Sequence, residues 1–224
     1  MVKILTVYGE LLLRAMGQTL LLALCGLFFA CIIGLIVGMM SVIKNRVCRV
    51  IAAVFVDVIR GVPMIVLAYF VFFGVPYLFN TIMGIGGVTL TALQAGTICL
   101  ALNCGAYMAE IIRAGIETVD RGQNEAARSL GLSRVQSMRR VILPQAVKNI
   151  LPAVGNEMIA LLKETSVAGY VAVIDLTRAA NLIRNNTYDA FNPLMVTAVV
   201  YLTLVVVMTR LLAMFERRLR ESAR

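Results

Sequence analysis

The chain is 224 residues long, 60% hydrophobic, and carries a net charge of +9; its mean hydropathy is +0.88, where an ordinary soluble domain is roughly half apolar. That composition excludes a soluble globular domain. The absence of histidine and the lack of metal-ligand spacing among five cysteines argue against a metal centre or disulfide framework.

Ala15 to Ile43 is a stretch of 29 residues without a charge, and another 49 uncharged residues separate Arg60 from Glu110. A membrane span needs about 20 apolar residues, so these stretches predict transmembrane helices, and the chain reads as an all-α membrane protein with five of them. The first lies near 19–42. It is longer than the roughly 7–15 apolar residues of a cleaved leader and reads as a retained span. A basic loop with Lys44, Arg46, Arg49 and Arg60 follows, then a second span near 62–78. Asn80 to Thr91 is a glycine-containing turn, and the third span runs over about 92–112. After a charged segment at 113–148 comes a fourth span, 151–174, interrupted by polar residues. An amphipathic loop leads to the fifth, 191–209. One transmembrane domain, 1–224, accounts for the whole sequence. Cys25, Cys31, Cys99 and Cys104 fall inside apolar runs and read as small buried hydrophobes.

Lysine and arginine resist translocation and collect on cytoplasmic loops. Here 16 of 21 lie after the first span, after the third span or in the tail, and on the opposite side stand Lys3, Arg14, Arg178 and Arg184. The expected orientation is N-terminus outside and C-terminus in the cytoplasm. It also explains the net charge without any nucleic-acid partner.

Within 113–148 the order is too regular for a linker. Gln123 to Leu130 predicts a short helix stopped by Gly131. Ser133 with Gln136 forms a capping box for a second helix, with Val135, Met138 and Ile142 as an apolar stripe. Pro144 marks the change to the next element.

These residues carry a resemblance. Glu125-Ala126-Ala127, Gly131 and Leu143-Pro144, in the stretch EAARSLGLSRVQSMRRVILPQA, are similar to the EAA loop of permease subunits in ATP-binding-cassette importers, with Met138 where that family usually carries Phe. Gly17-Gln18-Thr19-Leu20, Arg60-Gly61-Val62-Pro63, the run from Ala106 to Arg113, and Lys163-Glu164-Thr165-Ser166 extend the resemblance to the polar amino acid branch. It implies the type I importer permease fold, in a bacterial cytoplasmic membrane. It also implies that Glu125, Ala126, Ala127, Leu130, Gly131, Leu143 and Pro144 form a coupling element docking on a separate ATPase. A small-residue face, Ala126 and Ala127, would lie in the ATPase groove with Leu130 as anchor. ATP and magnesium would be held by that partner, since no Gly-Lys pair for a phosphate loop occurs here. The implied assembly has a second permease, identical or similar, two ATPases and an extracytoplasmic amino-acid-binding protein. The chain itself would be a transport subunit and no enzyme.

Lys163 and Glu164 lie about 17 Å along a helix from Pro152, near the middle of a core about 30 Å thick. A charge there costs at least about 2.5–3.5 kcal/mol and marks a substrate path. Thr165, Ser166 and Gly169 favour local unwinding, and Asn156 and Glu157 add polar atoms two turns earlier. A zwitterionic amino acid needs an acceptor for its ammonium and a donor for its carboxylate, and this set supplies both. The competing reading is an internal Lys163–Glu164 ion pair, or contact of Lys163 with a partner subunit. Glu110 and Arg113 read as structural. Two other function classes compete with the importer: a secondary transporter, which leaves the EAA loop unexplained, and an intramembrane Ser/Lys hydrolase built on Lys163 and Ser166.

Overall fold

The computed structural model describes residues 2–221; the two ends of the 1–224 domain, with the tail cation Arg224, lie outside them. Among the described residues the architecture is all-helical. Helix α1 (Val2–Val42) begins well before Thr19. The charges that hid its first half, Glu10 and Arg14, pair with each other at 2.5 Å on the exposed face, an i,i+4 arrangement that supports a helix. On the other face Ile4, Leu12 and Ala15 are buried.

The expected basic loop is a helix. α2 (Arg46–Gly61) is capped by the Asn45 side chain, which accepts from the Val47 N–H at 2.9 Å. Its charges, Arg46, Arg49, Asp57 and Arg60, fall within an arc of about 80° at 100° per residue, so the helix is amphipathic rather than polar. Val62 and Pro63 break it, and α3 (Met64–Ile82) continues at a new angle with π-helical turns at Phe70–Gly74 and Leu78–Ile82. Pro76 would drive its ring into the Phe72 carbonyl; the wide turn just before it relieves that clash.

Helix α4 (Ala92–Glu117) starts at a Thr91–Gln94 capping box and is the most buried of the long helices. It packs along α1, where Gly26, Ala30, Gly34 and Gly38 recur every four residues. Small residues at this spacing let two membrane helices approach backbone to backbone. A Cβ at Gly34 would lie 2.4 Å from the Met108 Cβ. Gly34→Leu is therefore expected to force α1 off α4 and cost about 1–3 kcal/mol as an overpacked site. A melting temperature equal to wild type in detergent would show that the seam is looser than this.

Helix α5 (Arg121–Ser129) and the short α6 (Arg134–Ser137) follow. A π-helical turn, Met138–Ile142, leads without interruption into α7 (Leu143–Glu164). Pro144 therefore does not end an element: it sits in the first turn of α7, where its missing N–H is tolerated. A 3-10 segment, Thr165–Val171, ends at Ala172 with φ 69, so the unwinding expected after Glu164 occurs. Helix α8 (Leu176–Thr187) and the long α9 (Phe191–Glu221) complete the chain.

Among the described residues four helices are long and apolar enough to cross a membrane: Ile4–Val42, Met64–Ile82, Ala92–Glu117 and Phe191–Phe215. Helix α7 has comparable length but carries the charges. It threads between two of those helices, with Gly115 of α4 against Ile150 and its own Gly155 against Leu212 of α9. One core joins Leu22, Leu100, Cys104 and Leu161, and a second at the opposite end joins Ile116, Val119, Ile142 and Ala146.

Candidate functional site

Two groups of residues stand at the ends of one continuous helical run. The first is the turn between α5 and α6. Asp120 caps α5, accepting from the Gly122 N–H at 2.7 Å. At the other end Gly131 adopts φ +85, its N–H bonding the Arg128 carbonyl at 3.0 Å and the Leu132 N–H the Ala127 carbonyl at 3.2 Å. This is a Schellman closure, which a glycine at the left-handed position makes available. The Ser133–Gln136 capping box forms as the spacing predicts. Ser137, fully buried, donates to Asn124 at 2.7 Å and ties α6 to α5, a link that nothing in the local pattern announces.

Glu125 is exposed and makes no ion pair among the described residues, while Leu130 is 85% and Val135 76% exposed. The two alanines divide. Ala126 faces out, whereas Ala127 is buried against its own chain, since consecutive helical residues point about 100° apart. A two-alanine docking face is therefore not present. The apolar stripe divides likewise, with Ile142 inside and Val135 outside. Leu143 is half-buried beside the core around Ile142, and Pro144 is exposed.

The second group begins where α7 ends. Residues 134–164 are continuously helical, a path of roughly 46 Å at 1.5 Å per residue that passes a π-helical turn and Pro152 and connects the α5–α6 turn to Glu164. Glu164 is half-buried and accepts from Asn103 Nδ2 at 3.0 Å. Lys163 is exposed, and among the described residues no ion pair joins it to Glu164. Glu157 is half-buried beside Cys104, and Asn156 is exposed. Thr165 is fully buried, and its hydroxyl donates to the Leu162 carbonyl at 2.7 Å, so it presents nothing to a cleft. Ser166 lines a separate cavity of about 270 Å³ with Tyr170, Arg178, Asn181 and Asn185.

Arg60 joins this group from α2. Its guanidinium lies over the Tyr107 ring at 4.7 Å, and Tyr107 is one helical turn from Asn103 on the same face of α4. It is fourteen residues, about 21 Å, into the helix from Arg46 and belongs to the polar cluster rather than to the loop. The signal was the spacing of the α2 charges on one face. Glu110 and Arg113 pair with each other, and Arg113 also reaches Glu117 at 2.6 Å.

The unwound segment beyond Glu164 is clamped. Buried Asp175 accepts from the Thr177 and Arg178 N–H groups at 3.1 and 3.0 Å, and the Tyr201 hydroxyl lies 3.3 Å from it. Thr19 of α1 accepts from the Leu176 N–H at 3.1 Å, and the Arg178 side chain donates to the Gly169 carbonyl at 2.9 Å. A Cβ at Gly169 would meet Asp175 Oδ1 at 2.6 Å. The cluster therefore sits between this hydrogen-bonded segment and the helical run that leads to the exposed turn.

Comparison with known proteins follows the same lines. Residues 30–221 match the family described as "Binding-protein-dependent transport system inner membrane component". The chain is 36% identical over 201 residues to a putative glutamine transport system permease protein of Rickettsia bellii, covering 90% of this chain and 89% of that one. It is also 36% identical over 213 residues to a probable amino-acid permease protein of Bacillus subtilis, covering 95% and 93%. Among solved structures, an amino acid ABC transporter crystallised with histidines superposes with a TM-score of 0.87 at 39% identity, over 96% of both chains. The MetNI methionine transporter, at 23% identity and a TM-score of 0.79, shares the fold. The match over most of the chain and the relatives of the same length agree, and the chain belongs to the family of binding-protein-dependent transport system inner membrane components.

Proposed function

We propose that this membrane permease of an ATP-binding-cassette importer carries a polar amino acid, taken from an extracytoplasmic binding protein. Its N-terminus lies outside, its C-terminus lies in the cytoplasm, and one domain, 1–224, spans the inner membrane. The chain is a transport component and not a catalytic subunit; family membership implies ATPase and substrate-binding partners. A pair of permeases with two ATPases, each holding ATP and magnesium, is the stoichiometry that fits the type I architecture.

The observation that carries the reading is this helical run. An ATPase that grips Glu125 and Leu130 moves a helix whose other end holds Glu164 and Lys163, so closure of the ATPases displaces the charged group in the membrane. Glu164 would accept the substrate ammonium. Lys163 and Arg60 would supply donors for the carboxylate, with Asn156, Glu157 and Ser166 along the path. Thr165, turned inward on the Leu162 carbonyl, would shape the helix end instead of touching substrate.

The test is uptake of labelled glutamine, histidine and arginine into proteoliposomes that hold the permease with its ATPase and binding protein. Uptake should require internal ATP and stop with vanadate. Uptake driven by a proton gradient without ATP would replace this reading with that of a secondary transporter.

A further inference from the structure

At the end of the bundle nearest the coupling turn, a cleft of about 1180 Å³ opens between the ends of α1 and α4, the start of α2, and helices α5 and α6. Lys44, Arg49, Arg121, Arg128 and Arg134 line it, together with two acids, Glu117 and Asp120. Both acids are already engaged. Glu117 pairs with Arg113 at 2.6 Å, and Asp120 caps α5. Of the cations, Arg128 donates to the Leu132 carbonyl at 2.6 Å; Lys44, Arg49, Arg121 and Arg134 make no ion pair among the described residues. The cleft floor is apolar, with Val42, Ile116 and Met138. On the side of α2 turned away from Arg49, Val47, Val50, Ile51 and Val54 are exposed, so the helix presents its charges to the cleft and an apolar face elsewhere.

We propose that this cleft binds the headgroup of an anionic phospholipid. Unpaired cations in a cleft where the apolar helices α1 and α4 end match lipid phosphate in charge. Leu130 and Val135, the exposed apolar residues of the coupling turn, do not line it. A bound lipid would therefore brace the coupling helices from the membrane side, leaving their outer face free. The site requires only that the cleft lie at a membrane face, and so it stands apart from the substrate assignment.

The experiment is native mass spectrometry of the detergent-solubilised transporter titrated with phosphatidylglycerol, phosphatidylcholine and inorganic phosphate. Phosphatidylglycerol should be retained in preference to phosphatidylcholine, and inorganic phosphate should not displace it. Lys44→Gln combined with Arg49→Gln, outside the coupling turn, should weaken phosphatidylglycerol binding by about thirtyfold, the worth of two cations near an anionic surface. Equal retention of both lipids by the wild type overturns the proposal even if the double variant fails to fold. Displacement by millimolar phosphate would make this a free-anion site, which also overturns it. Unchanged lipid affinity with loss of ATPase co-purification would assign the cations to the ATPase and overturn it as well.

Discussion

Gly131→Val is expected to reduce ATP-driven uptake at least tenfold while the permease still inserts in the membrane. At φ +85 a β-branched residue is strained by about 1–3 kcal/mol, and a factor of ten corresponds to about 1.4 kcal/mol. The strain is purely backbone, because a Cβ at this position meets nothing within 4 Å. Relief requires opening the turn. That breaks the bonds to the Arg128 and Ala127 carbonyls and swings Leu130 away from the position in which it is presented. Gly131→Asn separates this cause from general damage, since asparagine enters the left-handed region far more readily and should retain most uptake. Assays of yield, ATPase co-purification and uptake on the three proteins order them as wild type, Asn, Val. Wild-type uptake by the valine variant would sink the assignment of this turn to coupling.

Glu164→Gln should leave the assembled transporter at normal yield and basal ATPase rate, and lower the affinity for a cationic amino acid about ten- to a hundredfold. The amide oxygen of glutamine can still accept from Asn103 Nδ2, so the bond seen at 3.0 Å survives. A hydrogen bond to a charged group, here the substrate ammonium, is worth about 1.5–3 kcal/mol, and converts to that loss. The structural alternative predicts otherwise. If Glu164 instead held the helix end in place through a charged contact, the change would cost assembly; among the described residues no ion pair joins it to Lys163, which is exposed. Reduced yield with normal uptake per assembled complex would assign Glu164 to structure.

Local chemistry was legible where one residue type suffices for one conformation. The capping box at Ser133–Gln136 forms, and Gly131 has the positive φ its spacing implied. The helix loosens after Glu164 as its Thr-Ser-x-x-Gly run suggested. Charge does not mark a loop in this chain. Glu10 and Arg14 pair across one turn of α1, and the charges of α2 share a face. Hydropathy averages over faces, and a helix does not.

The sequence by itself determined that this is a multispan helical membrane protein, where its apolar runs lie, and that an EAA turn separates two of them. Those features depend on composition and on neighbours a few residues apart. Only the tertiary structure decided that Ala127 faces inward while Ala126 does not, that Arg60 stacks on Tyr107, and that Glu164 bonds Asn103 rather than Lys163. Arg60 and Tyr107 are 47 positions apart, and Asn103 and Glu164 are 61. Such pairs are selected by which helices pack side by side, through close approaches such as Gly34 on Met108, and no local periodicity encodes that choice.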